Sequence, residues 1–431
     1  MWNILQPKII IHGLFTKLNI CLFLFAVLTL NNSLCQGQSP QVYFFPDSIG
    51  TGPTRYAPEQ YQSFIGNYQQ ALSTVGTDFK SEKHYLDSIA QKQKLQFFSL
   101  KKFVKSIPDS LKLILINEAH SYGIHRVFVK QMLPLLKSKG FDCLCMETYS
   151  WNDSSVSKNH FPTVNSGWYS NEASNAQMIR EAIKLGYHLY PIETTRRVSI
   201  HRSPDGSIVK LDSITGDTLL VRYAKNFVPY YGKTYSNYRE EDQAANIMRT
   251  FRQGCHKVLD LSGYGHVYKT DDMMAGILVD SFHMMPMTID QTALMERKDT
   301  INGFSIKSVL SANKISILFT NNRPLSLLEG VDAHVVFPHT TFIHNRPSWL
   351  TKVDDRTLIP VKVGPGLKYP ILIFAYYLDE YLISKEAVPV DVFACTSAYT
   401  TPYAALYRHR KYLIKIIDSN KKQYEYIKNV L

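Results

Sequence analysis

Between residues 111 and 290 the sequence alternates short continuous apolar runs with stretches of helical periodicity, and few architectures accept both. KLILIN (112–117) is short and almost uninterrupted, the pattern of a strand buried on both faces, and IHRVFVKQMLPLLKSKG (124–140) follows as a helix that Pro134 should kink and Lys-Ser-Lys-Gly should close. The unit recurs. FDCLCMET (141–148) and YHLYPIET (187–194) read as strands around the helix NAQMIREAIKLG (175–186). After them come the helix REEDQAANIMRTFRQG (239–254), the strand HKVLDLSG (256–263), the helix DDMMAGILVDSF (271–282) and the strand MMPMTID (284–290). Such alternation predicts an α/β fold: a mostly parallel sheet with helices on both faces.

The rest of the chain divides around this core. Residues 1–35 hold no acid, Lys8 and Lys17, and the apolar run Cys21–Leu30, which read as a signal peptide rather than the roughly 20 apolar residues of a membrane span. Residues 36–110 show helical spacing in PEQYQSFIGNYQQAL and SEKHYLDSIAQKQKLQFFSLKKFV and are expected to form a helical N-terminal lead. The α/β core is assigned to 111–345, with a hairpin insertion near 197–235 marked by Pro-Asp-Gly and Thr-Gly-Asp turns. Residues 346–431 are strand-rich and include the hairpin-like KYLIKIIDSNKKQYEYIKNV.

The formal charge of +12 falls to +10 without the two leader lysines, and it is spread over the chain instead of forming a basic stripe, so a nucleic-acid partner is not expected. The expected location is outside the cytoplasm, periplasmic or secreted, with no stable membrane span after signal cleavage. Cys143, Cys145, Cys255 and Cys395 are too few for a disulfide scaffold; export permits one bridge without identifying it, and Cys143 and Cys145 are expected to be small buried residues. No Gly-x-Ser-x-Gly elbow and no phosphate-binding glycine loop are present.

In a parallel sheet the carboxyl ends of the strands line the ligand crevice. Here those ends carry Glu118 and His120, Glu147, Glu193, His266 and Asp290, so five successive exits bring acid or imidazole to one edge. Glu118 and His120 should share a face if the strand stays extended. His125 and Arg126 fall in the first turn of the following helix, where an anionic substrate group is favoured, and with Glu193 they are the expected substrate-binding residues. Weighed singly, His125 is more often a satisfied polar residue than a ligand. Jointly, Glu118, His120, Glu147 and His266 call for a functional explanation.

NEAH at 117–120, Glu147, RExxxAxNI at 239–247 and SGYGH at 262–266 resemble the superfamily of erythromycin esterases, ChaN-type haem-binding proteins and Tiki/TraB metalloproteases. The resemblance spans about residues 110–290 and implies catalytic roles for Glu118, His120, Glu147, Arg239 and His266. Asn117 departs from it, standing where the family commonly has glycine. The first expectation is hydrolysis of an ester or amide in a small-molecule or peptide substrate, with His120 as base, Glu118 or Glu147 orienting it, and Arg239 with His266 steadying the oxyanion. A metal variant places a divalent ion on His120, Glu147 and His266. The alternative is haem or metal binding without turnover, with Tyr264 as a cofactor ligand.

Overall fold

The computed structural model describes residues 42–74, 94–195, 197–203, 206–212, 218–223, 235–270, 272–296 and 314–431. The leader, the segment 81–93 expected to be helical and the end of the hairpin insertion lie outside the described residues.

The strands β1 (Leu95–Ser99), β2 (Leu113–Glu118), β3 (Cys143–Met146) and β4 (His188–Pro191) precede the hairpin insertion, which forms its own antiparallel sheet of β5 (Arg197–Ser203), β6 (Gly206–Asp212) and β7 (Thr218–Tyr223). Then come β8 (Val258–Gly263), β9 (Met287–Asp290), β10 (Ser316–Thr320), β11 (Arg323–Pro324) and β12 (Ala333–Val336). The main sheet runs β1-β10-β12-β9-β2-β8-β3-β4, with β11 paired to β10. From β12 to β4 every pairing is parallel, so the exits of β9, β2, β8, β3 and β4 open on one edge.

Alternation along the strands builds two cores. Ile114, Ile116, Leu144, Leu259 and Leu261 face the helices Leu100–Ser106, Gly123–Lys137 and Ala173–Lys184. Leu113, Leu115, Cys143, Cys145 and Val258 face the helices Tyr235–Arg252 and Met274–Asp280. Both faces are therefore covered, which accounts for strands that are apolar along most of their length; Asp260 in β8 and Thr288 in β9 are buried exceptions. On the second face Cys143 and Cys255 form a disulfide across 112 residues of sequence, so Cys143 is a cross-link and not merely a small core residue; Cys145 remains free and buried.

The N-terminal lead is helical over Pro58–Phe64, Tyr68–Thr74 and Leu100–Ser106. It departs from the expected pattern at 95–99, where LQFFS joins the main sheet as β1, antiparallel to β10. Phe98 stacks on Phe319 at a centroid distance of 3.8 Å. That aromatic cross-strand contact outweighs helical spacing carried over from the preceding residues.

The last part of the chain is strand-rich as expected: β13 (Phe342–Ile343), β14 (Arg346–Pro347), β15 (Thr357–Pro360), β16 (Ile371–Tyr377), β17 (Asp391–Cys395), β18 (Tyr403–Leu406), β19 (Arg410–Asp418) and β20 (Gln423–Val430). An antiparallel sheet β17-β16-β19-β20 and the pair β15-β18 pack around a third apolar core that includes Ile373, Tyr412 and Ile414. No helix among the described residues is long and apolar enough to cross a membrane.

Candidate functional site

Glu118 ends β2 on the face covered by the helix Gly123–Lys137, and one turn into that helix Arg126 points back at it. Arg126 Nε donates to Glu118 Oε2 at 2.9 Å, and its Nη2 donates to Glu118 Oε1 and to the His120 carbonyl, both at 2.8 Å. Its Nη1 donates to Glu172 Oε2 at 3.2 Å, and the Tyr68 hydroxyl donates to Glu172 Oε1 at 2.6 Å. Burial alone would raise the Glu118 carboxyl, but Arg126 and the hydrogen bond with His120 hold it at about 2. The carboxylate is therefore a fixed buried charge, and its Oε1 lies 3.0 Å from His120 Nδ1.

A proton on Nδ1 suits that contact and leaves the lone pair on Nε2, which faces Gly263 and lies 4.0 Å from Glu147 Oε2. The ring is set from both sides, stacked on Tyr169 (4.2 Å between centroids, 20° between planes) and edge-on to Tyr264 at 6.0 Å. Gly263 closes the remaining space: a Cβ there would lie 2.5 Å from His120 Nε2 and 3.1 Å from Glu147 Oε2. The His120 side chain keeps 16% exposure against 4% for Glu118, which makes the imidazole the member of the pair that solvent reaches.

Glu147 follows β3 and is held by a second set of groups. Its Oε2 accepts the Gly263 N–H, and Arg239 Nη2 donates to its Oε1. Arg239 also grips Glu193 after β4, with Nε to Oε1 at 2.9 Å and Nη2 to Oε2 at 2.5 Å. Its Nη1 is 3.1 Å from His266 Nε2, so one of its five N–H donors is left without a partner among the described residues. Burial would raise the Glu147 carboxyl, yet the His266 and His120 imidazoles and the Arg239 guanidinium keep it well below the usual carboxylate range. His120 Nε2 lies 4.0 Å from Glu147 Oε2, beyond hydrogen-bond reach.

His266 sits in the short turn after β8, with Nδ1 2.7 Å from Glu240 Oε2 and Nε2 3.8 Å from Glu147 Oε1. Burial lowers its pKa while Glu147 and Glu240 raise it, and the net direction is upward. The Arg239 contact opposes protonation, because a guanidinium N–H needs a lone pair at Nε2. Nearby, burial lifts the Asp260 carboxyl to about 8, so it adds little negative charge beside Glu147 at neutral pH.

The expected catalytic set of Glu118, His120, Glu147, Arg239 and His266 is thus brought together. The substrate-binding set is not. His125 and Arg126 are both fully buried; His125 accepts the Ala119 N–H through Nδ1 at 3.0 Å, stacks on Phe337, and is pushed by burial to about 3. The helix begins with its first-turn side chains turned onto the sheet, so His125 packs and Arg126 supports Glu118 instead of meeting a substrate. Glu193 is half-buried and committed to Arg239. Tyr264, expected as a cofactor ligand, stands at the rim with 45% exposure.

Among the described residues no three His, Cys, Asp or Glu side chains are grouped to hold a metal ion. The physical reason lies in the donors proposed for it: Glu147 is occupied by Arg239, His266 Nε2 faces the same guanidinium, and a cation already fills the space. As arranged, His120, Glu147 and His266 do not fit a divalent ion.

Sequence reasoning missed several supports. Glu240 orients His266 and also accepts the Met274 N–H at 2.9 Å; it stands beside Arg239 in the RExxxAxNI motif and could have been read there. Glu172 and Tyr169 lie in a polar stretch without periodicity, and nothing local marks them. Asn117 is fully buried: its Nδ2 donates to Asp290 Oδ1 at 2.6 Å and to the Tyr264 carbonyl at 2.9 Å, and its Oδ1 accepts the Gln291 N–H at 2.7 Å. The Asn117 side chain therefore ties β2 to the His266 turn. Asp290, expected at the same edge, is spent on this tie and on His334.

No protein-family model matches the chain, and no curated protein matches it. Solved structures similar to it include the type III effector HopBA1, with 13% identity and a TM-score of 0.33 over 58% of this chain and 99% of that one. RRSP, a MARTX toxin effector domain from Vibrio vulnificus CMCP6, gives 13% identity and 0.28 over 56% of this chain and 45% of that one. A structure described as bacterial protein toxins gives 10% identity and 0.28 over 55% and 46%. Nothing about the site follows from similarities at this level.

Proposed function

We propose that this edge of the sheet hydrolyses an ester or amide by histidine-assisted attack of water. The observation that carries the reading is the pairing of His120 Nδ1 with a charged, buried Glu118, which leaves the lone pair on Nε2 of a partly exposed ring as the base. Nε2 takes a proton from water while the water oxygen bonds to the substrate carbonyl carbon. Glu118 steadies the imidazolium that forms, and the remaining Arg239 N–H faces the tetrahedral oxyanion. As that intermediate collapses, the alkoxide or amine leaves with the proton returned from Nε2. The carboxylic acid product and neutral His120 remain.

The motif resemblance to erythromycin esterases supports the same reaction class, with a small-molecule or peptide substrate. The Cys143–Cys255 bridge suits an oxidising compartment and agrees with the leader at 1–35, so the reading includes export. The test is a library of chromogenic esters and aminoacyl amides with wild type, His120→Ala and Arg239→Lys. Turnover should fall by about 10²–10⁴-fold in His120→Ala. Activity that survives that substitution, or none above buffer in wild type, refutes the mechanism. Elemental analysis of wild type and a His120→Ala, His266→Ala double variant should find no stoichiometric metal that depends on these histidines; a one-to-one ion lost in the variant would replace the general-base reading with a metal-assisted one.

A further inference from the structure

Away from this edge, the sheet β17-β16-β19-β20 ends in two unlike strands. β17 is buried along most of its length, and the chain packs on it so closely that a Cβ at Gly66 would lie 2.1 Å from the Val392 carbonyl. β20 is the opposite case. Its residues alternate between exposed and half-buried from Gln423 to Asn429, and among the described residues it pairs with β19 alone. The pairing runs in one register from Arg410↔Val430 to Ile417↔Gln423 with no bulge, and the strand holds no proline; Glu425 and Lys428 are its charged residues. A bulge or a proline is how natural sheets blunt an edge of this length, because its outward N–H and C=O groups invite another strand. Ile427 at 59% exposure and Leu431 at 92% add apolar surface to the same edge.

The sequence of β20 selects the partner. When two copies of one strand pair antiparallel about a two-fold axis, each keeps the same face of the sheet upward, so directly opposite residues belong to one alternation set and the axis passes between two copies of a single residue. An axis at Glu425 or Lys428 sets like charges face to face, and one at Tyr426 sets the Glu425 carboxylate against Ile427. Axes nearer either end shorten the pairing. An axis at Ile427 aligns the whole strand and avoids each fault: Ile427 meets its own copy, Tyr426 meets Lys428, Glu425 meets Asn429, Tyr424 meets Val430 and Gln423 meets Leu431. Each ammonium then stands beside a phenol ring, and the exposed isoleucines cover each other.

We propose that β20 is a contact surface for a second copy of this chain, the two strands pairing antiparallel about a two-fold axis at Ile427 and joining two four-stranded sheets into one continuous sheet. The joint satisfies backbone groups along the full edge and buries Ile427 on both copies, the self-complementary form that a two-fold interface requires. Assembly through β20 uses none of the Glu/His residues, so it does not depend on the hydrolytic reading.

Sedimentation velocity of the full chain over about 1–100 µM tests the proposal, with a monomer–dimer equilibrium expected inside that range. Ile427→Lys places two ammonium groups together at the axis and should weaken dimerisation at least about tenfold, with the far-UV circular dichroism of wild type because the side chain is exposed in a single copy. Register is tested by sign. Asn429→Lys sets a lysine opposite Glu425 twice and should tighten the dimer at least about twofold, whereas Asn429→Glu should loosen it by a similar factor. Net charge alone would drive these two effects the other way in a chain of +12. A monomer throughout the range, a dimer indifferent to Ile427→Lys, or Asn429 variants that fail to shift in these opposite directions would overturn the pairing.

Discussion

Glu118→Gln separates the charge of the buried carboxylate from its shape. The side chain stays nearly isosteric and can still present an oxygen to His120 Nδ1, but the Arg126 fork loses its anion. The folded carboxyl titrates at about 2 against an ordinary 4.5, and at about 1.4 kcal/mol per pH unit the difference amounts to about 3 kcal/mol at neutral pH. The group is buried, so solvent screening removes little of it. Since the folded value lies below the unfolded one, this stability is fully present above pH ~4.5 and is lost as pH falls through about 2. At pH ~3 less than half of it should remain. Urea unfolding of wild type and variant at pH 7 and pH 3 measures the gap directly, with equal slopes required for the comparison. A gap under about 1 kcal/mol at pH 7, or one that does not shrink by pH 3, would refute the account of Glu118 as a permanently charged support. Turnover should fall with the charge, because a neutral amide cannot stabilise the imidazolium.

Three further perturbations address the frame around the site. Gly263→Ala has an unstrained backbone but puts a methyl 2.5 Å from His120 Nε2, so turnover should drop by about 10²-fold or more and stability should fall by about 1–3 kcal/mol; an active variant of wild-type stability would mean the ring has room to move. Asn117→Ala removes the tie to Asp290, Tyr264 and Gln291 and should cost about 2–3 kcal/mol in denaturant unfolding, and a loss under about 0.5 kcal/mol would deny the side chain its role as a clamp. The Cys143→Ser, Cys255→Ser pair opens a closure spanning 112 residues and should lower stability by up to about 5 kcal/mol in oxidising buffer; wild type that melts identically with and without reductant would show that the bridge does not form.

The parallel core was legible because strands buried on both faces leave a strong apolar pattern: β3, β4, β8 and β9 fall inside the runs that announced them, and β2 runs one residue past its run, to Glu118. The polar exits were legible for the same reason, since a charged residue directly after a buried run has few structural excuses. β1 was not, because its membership rests on Phe98 meeting Phe319 more than two hundred residues later. His125 and Arg126 show a different limit. Period and position place them correctly in the first helical turn, but whether a first-turn side chain faces solvent or the sheet depends on how the helix packs. A buried Glu118 selects the inward choice for Arg126, and only the assembled structure reveals that selection.

The two glutamates that close β2 and β3 end in opposite environments, and this divides their work. Glu118 is gripped from inside by Arg126, which Glu172 and Tyr68 hold in turn, so its charge is fixed by groups that no substrate reaches. Glu147 is gripped by Arg239, a half-buried side chain on a helix whose first residues follow the hairpin insertion, and it shares that guanidinium with Glu193 and His266. In the proposed mechanism a fixed carboxylate stands behind His120 and a partly exposed cation lies beside Glu147, which suits water activation because the imidazole must stay oriented while negative charge develops on the substrate side. Reversing the assignment, with Glu147 orienting the base, fails on distance: at 4.0 Å it does not hydrogen-bond His120, whereas Glu118 does at 3.0 Å.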